Sequence, residues 1–272
     1  MGPLSFNHEQ LQVLRHVWEW VEADGVGGFA SGTISGLRTS RCHALLLAAT
    51  PPSPHRYVLV NGMDAWVQTA GASVIVTPQH YTPDVRVADQ PERLESFALD
   101  PWPSWKFRVE DGVFLEQELF VPHGRAVTAL RWRLSGKTAG DAVLRVRPFL
   151  SGRDMQGLHR ENKEFNFEPE RGEDAVIWHP YPGIPAVIAR HNGRYRQEPY
   201  WYRNFVYDQD RAQGLEAVED LAAPGFFEWD LEKGEAILFL CAEGFDNGSG
   251  RNARPCDVIF SELEKTERLR RA

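Results

Sequence analysis

The sequence predicts a mostly β fold, a sandwich or barrel of antiparallel sheets. Three observations predict it. Apolar and polar residues alternate with a period of two along much of the chain. Gly, Pro and Asp-Gly breaks interrupt that alternation at short intervals. Segments with a helical period are few.

The clearest strand pair lies in the middle of the chain. Trp105, Phe107 and Val109 alternate with Lys106, Arg108 and Glu110. Asp111-Gly112, a favoured two-residue hairpin turn, leads into a return strand from Val113 to Val121. Leu130, Trp132 and Leu134 alternate with Arg131 and Arg133, and Leu144 and Val146 with Arg145 and Arg147. The four arginines read as solvated outer faces. Further strands are expected at Tyr57–Val60, Ser73–Thr77, Ala175–Trp178, Ala186–Ala189, Phe226–Leu231 and Ala236–Cys241. Short helices are expected at Glu9–Val17, Gln209–Leu221 and Ser261–Arg271. Ser261-Glu-Leu-Glu264 has the form of a capping box opening the last of them.

Composition narrows the function. The net charge of −8 disfavours nucleic acid and anionic membranes as partners. The three cysteines, Cys42, Cys241 and Cys256, have no short spacing, so a reducing, cytoplasmic setting is expected over secretion. The N-terminus lacks a signal-peptide pattern, and no apolar run approaches the ~20 residues that span a bilayer. The nine tryptophans stand out. Most suit a core, although flat ring faces also suit sugar stacking.

Gly25-Val-Gly-Gly-Phe-Ala30 matches the dinucleotide fingerprint in form. Its context fails, because the following Ser31–Arg38 is broken by two glycines and cannot open the helix that a pyrophosphate site needs. A tight turn between strands is the expectation, and that turn brings Asp24, Arg38, Arg41 and His43 near one another in sequence. Cys42-His43 has no second pair of ligands to complete a metal site. There is no nucleophile elbow. Asp154, Glu161, Glu198, Asp208, Glu219 and Asp220 lie in polar segments and read as solvated acids.

Gly193–Tyr207 is too polar for a core strand and too aromatic for a disordered loop. Its rings interleave with Arg194, Arg196, Glu198, Arg203 and Asn204. Rings with polar groups can grip a sugar by stacking and hydrogen bonding, and they equally anchor protein interfaces. Gly152-Arg-Asp154 and Leu158–Asn162 form a polar patch that can join it.

Taken in order, these pieces resemble the N-terminal domain of the bacterial and archaeal type of glycogen debranching enzyme, an amylo-α-1,6-glucosidase. The resemblance rests on Gly25–Ser35, Arg41-Cys-His-Ala-Leu-Leu46, Asp100-Pro-Trp102, Phe120-Val-Pro-His-Gly124, Ser151-Gly-Arg-Asp154, Tyr181-Pro-Gly183 and Glu198–Phe205. It implies a β supersandwich of two large antiparallel sheets, similar to galactose mutarotase, over residues 1–260. Residues 261–272 would begin a linker helix. It also implies that an (α/α)6 catalytic barrel follows in the family and carries the catalytic carboxylates. The chain would then be inactive alone and need no cofactor. Its partners would be that barrel and an α-glucan such as glycogen or a maltooligosaccharide. Two departures are visible: Cys42 stands where the family usually has Tyr, and Asp24 where Asn is common.

The residues expected to bind carbohydrate or dock the barrel are Asp24, Arg38, Arg41, His43, Arg153, Asp154, Glu198, Trp201, Tyr202 and Arg203. One alternative is a purely structural domain. Another is a stand-alone mutarotase-like enzyme, in which His43 and Glu198 would have to converge.

Overall fold

The structure is a computed structural model that describes residues 5–6, 9–11, 15–50, 55–88, 90–138, 140–242 and 254–272. Strands dominate it. In chain order they are β1 (Ser5–Phe6), β2 (Glu19–Ala23), β3 (Phe29–Thr33), β4 (Ala44–Ala49), β5 (Arg56–Gln68), β6 (Ser73–Ile75), β7 (Gln79–Tyr81), β8 (Val85–Val87) and β9 (Leu94–Ala98). There follow β10 (Ser104–Glu110), β11 (Val113–Phe120), β12 (Val127–Ser135), β13 (Val143–Asp154), β14 (Pro169–Arg171), β15 (Ala175–Trp178), β16 (Val187–His191), β17 (Arg194–Val206), β18 (Val218–Asp230) and β19 (Ala236–Ala242). Among the described residues, α1 (Asp208–Ala212) and α2 (Cys256–Arg271) are α-helices, with a helical stretch at 9–11 and a single 3-10 turn at Pro91–Arg93.

Among the described residues the strands form two antiparallel sheets. A nine-stranded sheet has the order β1-β9-β10-β11-β12-β19-β16-β15-β14. A ten-stranded sheet has the order β2-β3-β4-β5-β13-β18-β17-β7-β8, with β6 on β5. The expected architecture is therefore present. Asp111-Gly112 makes the β10–β11 turn, with Gly112 at φ 74°, the left-handed conformation that glycine adopts without a Cβ clash.

Alternation explains how the sheets meet. Met63, Ala65, Val67, Leu144, Val146, Phe227 and Trp229 of the ten-stranded sheet face Leu115, Leu130, Trp132, Leu238 and Leu240 of the other. Aromatic pairs bridge the gap: Trp20 with Trp105 at 5.6 Å between ring centroids, and Trp132 with Trp229 at 6.0 Å. Six of the tryptophans are core residues of this kind or lie under α2, so tryptophan content alone is no sign of sugar binding here. The residues between the core positions, among them Asp64, Trp66, Arg147 and Glu228, fall on the outer face of the ten-stranded sheet.

Several expectations are corrected. The stretch Gln209–Leu221 is not one helix: α1 stops at Ala212, and Val218 begins β18, where Leu221, Ala222 and Ala223 become core. Burial there overrides the helix-favouring composition. Gly193–Tyr207 contains a 13-residue strand, β17, polar because most of it faces out. Of the expected helix Glu9–Val17, residues 9–11 are helical, 15–17 form a turn, and 12–14 lie outside the described residues.

Helix α2 starts at Cys256, after Pro255, so Ser261 is an interior residue and caps nothing; its Oγ donates to Asp257 O at 2.9 Å. The helix lies on the outside of the nine-stranded sheet. Phe260 packs on Phe120 at 5.2 Å and Phe239 at 6.0 Å. Arg131 is consequently not a solvated residue. Its guanidinium lies 4.5 Å from the Phe260 ring and pairs with Glu118 and Glu264. At the far end Arg271 reaches Glu22 of β2 at 2.6 Å and Pro101 O at 2.7 Å. No helix among the described residues is long and apolar enough to cross a membrane.

Phe260 is almost fully buried, so Phe260→Ala should cost about 3–5 kcal/mol, seen as a lower urea midpoint. An unchanged midpoint would mean that α2 is not part of the cooperative fold.

Candidate functional site

On the outer face of the ten-stranded sheet, aromatic and charged side chains collect between β5 and β17. Arg147 of β13 sits opposite Asp64 of β5 in the strand register. Its guanidinium reaches across β18 to β17, where Nη1 donates to Tyr202 Oη at 2.8 Å and Nη2 to Glu198 Oε1 at 2.5 Å. The Trp66, Tyr202 and Phe226 rings surround it at 5.9, 5.8 and 5.5 Å. Trp66 and Phe226 touch each other at 5.9 Å between centroids. Tyr200 stands beside Tyr202, 57% exposed. Arg147 is thus buried by its neighbours, another arginine that its strand pattern alone misassigns to solvent.

A second guanidinium supports this face from below. Arg38, from the loop after β3, is buried over Phe205 at 4.3 Å and Phe149 at 5.2 Å. Its Nη2 donates to Gln79 Oε1 at 2.9 Å, and Gln79 Nε2 donates to Asp64 Oδ1 at 2.9 Å. Gly62 stands next to Arg38, where a Cβ would come within 2.9 Å of Nη1. Burial pushes the Asp64 carboxyl above the usual carboxylate range, against the opposing pull of Gln79, Arg38 and Arg147. Burial likewise raises the Tyr202 hydroxyl.

Three of the ten residues expected from sequence therefore reach this face: Arg38, Glu198 and Tyr202. The other seven go elsewhere. Asp24 is buried, and its Oδ1 accepts from Val26 N at 2.8 Å and Gly28 N at 2.9 Å. It builds the glycine-rich turn between β2 and β3. His43 is also buried; its Nδ1 accepts from Thr39 N at 3.2 Å and its Nε2 faces Glu19 Oε1 at 3.1 Å. Arg41 pairs with Asp210 of α1 at 2.8 Å. Asp154 Oδ1 accepts from Gln156 N at 2.9 Å. Arg203 forms an exposed ion pair with Glu161. His43 and Glu198 each have other partners, Glu19 and Arg147, and do not form a pair.

Arg153 belongs to a buried network around Glu219, which is not a solvated acid but has no exposed surface at all. Glu219 accepts from Arg153 Nε, Tyr207 Oη, Asn61 Nδ2 and His159 N. A buried carboxylate needs such a set of donors.

Trp201 lies on the opposite side of β17 from Tyr202. It covers His159 at 5.3 Å, with Phe165 and Phe167 at 5.5 and 5.6 Å. His159 Nε2 meets Tyr181 Oη at 2.6 Å. Trp201 is a lid on a small loop core, not part of the outer face.

Asp64 and Trp66 were missed by the sequence reading. The available signal was an acid set between Met63 and Ala65 in residues 62–67, the otherwise uncharged second half of β5.

Burial holds the His159 imidazole below its ordinary value, which lies near 6.5. The unfolded chain then takes up the proton first. The neutral ring's contribution to stability is complete above about pH 6.5 and declines as the pH falls below it. His159→Gln should flatten the acid side of a stability–pH curve measured by urea unfolding from pH 7.5 to 5. Equal slopes in both proteins would refute the assignment.

A family model described as glycogen debranching enzyme N terminal matches residues 18–238. Among solved structures, the chain is similar to a bacterial glucoamylase complexed with acarbose, at 10% identity and a TM-score of 0.42, covering 93% of this chain and 38% of that one. It is also similar to a protein described as a kojibiose phosphorylase from the human microbiome, at 8% identity and a TM-score of 0.40, covering 96% of this chain and 34% of that one. The chain thus spans well under half the length of either. No curated protein matches it. The family match takes in every strand from β2 to β18 and the start of β19, and the chain belongs to the glycogen debranching enzyme N-terminal family.

Proposed function

We propose that this chain is the non-catalytic N-terminal part of a cytoplasmic debranching glycosidase. It supports an (α/α)6 catalytic domain and helps hold the α-glucan on the outer face of its ten-stranded sheet. One observation carries the glucan reading: half-buried Trp66 and Tyr202, with Tyr200, flank a row of hydrogen-bonding groups at Asp64, Arg147 and Glu198. Ring faces stack on the apolar side of a pyranose, and carboxylates and guanidinium order its hydroxyls. Within this row the charges balance, Arg38 and Arg147 against Asp64 and Glu198, which suits a neutral ligand.

Arg41, Arg153, Asp154, Asp24 and His43 act by fixing the loops beneath this face. Arg203 and Trp201 hold the loop that follows β13. The stand-alone enzyme reading loses its support with the separation of His43 from Glu198.

Calorimetric titration with maltoheptaose tests the proposal. The wild-type chain should bind with a millimolar to high-micromolar Kd. Tyr202→Ala should weaken binding about tenfold, equivalent to roughly 1.4 kcal/mol. Trp201→Ala should leave the Kd unchanged while lowering stability by about 2–4 kcal/mol. No heat from the wild-type chain at millimolar sugar would leave only the supporting role. Loss of binding through Trp201 alone would move the site to the other side of β17.

A further inference from the structure

Asp64 differs from the other acids of the outer face. Glu198 is paired with Arg147 and its side chain is 60% exposed. Glu228 is paired with Arg145 at 2.7 Å. Asp64 is more enclosed than Glu198, yet forms no ion pair with any arginine among the described residues. Its Oδ1 accepts from Gln79, and its Oδ2 has no hydrogen-bond partner among those residues. Oδ2 keeps some exposure to solvent, where an incoming O–H can donate to it.

The surroundings point to what that donor is. Asp64 is set on the sheet by the β5–β13 register, next to Arg147 and two residues before Trp66. Trp66 of β5 packs on Phe226 of β18, the strand next to β17. Tyr202 and Glu198 stand on β17, three strands across the sheet, a span of about 14 Å at ~4.8 Å per strand. Arg147 lies as a floor between them. Arg38 and Arg147 offset Asp64 and Glu198, so a phosphate or sulfate gains no net attraction, and Asp64 repels it directly.

We propose that Asp64 is the specificity-determining residue of this face: its free Oδ2 accepts hydrogen bonds from the hydroxyls of a neutral glucan, positioned by Gln79 and flanked by the Trp66 ring. The assignment rests on the glucan reading given above. It adds a residue that turns a sticky aromatic surface into a hydroxyl-selective one. Arg147 and Gln79 are positioning residues, since both act by placing carboxylates. Both oxygens of Asp64 are open acceptors only in the carboxylate, since protonation turns one of them into a donor. Glucan affinity therefore rises as the pH climbs through the range in which Asp64 ionises, a range that its burial displaces upward from that of an ordinary aspartate.

The experiment is titration of the whole chain with maltoheptaose from pH 4.5 to 8, for wild type, Asp64→Asn and Tyr202→Ala, with unfolding curves for each. Asp64→Asn keeps shape and removes charge, so it should fold as stably as wild type. It should bind about tenfold more weakly at pH 7.5 and show a flat pH profile. Tyr202→Ala should bind weakly but keep the wild-type rise with pH. Millimolar inorganic phosphate should not compete with maltoheptaose. If wild type binds and Asp64→Asn binds equally well with the same pH profile, the role of Asp64 is overturned and the glucan reading stands. Competition by phosphate would also overturn it. If wild type binds nothing at any pH while remaining folded, the glucan reading falls and this assignment with it.

Discussion

The burial of Glu219 is the constraint on which the functional side of this molecule depends. A carboxylate with no exposed surface has to be met by donors from every direction, and here they come from four places. Arg153 brings in β13, Asn61 β5, Tyr207 the end of β17, and the amide of His159 the loop after β13. Arg153 Nη2 also donates to Arg41 O at 2.7 Å, which ties the loop after β3 to the same point. Arg38 lies on that loop, three residues from Arg41. The network therefore sets where Arg38, Phe205 and Tyr202 sit on the outer face. Replacing one partner would leave a charge buried without its counterpart, the most disruptive kind of polar change.

The two sheets share the work unequally. The nine-stranded sheet is covered in part by α2 and carries cross-strand ion pairs such as Arg133 with Glu116. The ten-stranded sheet carries such pairs too, Arg145 with Glu228 among them, but it leaves Trp66, Tyr200 and Tyr202 partly exposed on the outside. That asymmetry is what marks one face as a candidate surface and the other as support. It also explains the two kinds of arginine. Arg131 and Arg147 occupy equivalent alternating positions in their strands, yet one is covered by a helix and the other by rings and acids from a neighbouring strand.

Much of the fold was legible in the sequence, because period-two alternation and the Asp111-Gly112 turn are local signals that the sheets obey. The failures are equally physical. Gln209–Leu221 contains good helix formers, and only the long-range pairing of β18 with β13 and β17 makes its second half a strand. The candidate site was half legible. The Glu198–Phe205 segment was found, but period two sends Tyr202 to one side of β17 and Trp201 to the other, so picking both mixes a surface residue with a lid. Asp24, Arg41 and His43 looked free because their partners are backbone amides, which carry no side-chain signal, or residues up to 175 positions away. Asp64 went unnoticed because a single acid in a strand carries meaning only once its neighbours across the sheet are known.

The central claim is that the outer face of the ten-stranded sheet is where glucan meets this domain. Mapping amide and indole resonances during addition of maltoheptaose tests it most directly. The account predicts shifts concentrated at Asp64, Trp66, Arg147, Glu198 and Tyr202, with Trp132, Trp178 and Trp201 indoles unmoved. Shifts confined to the loop around Trp201 and His159, or to the α2 face, would contradict it.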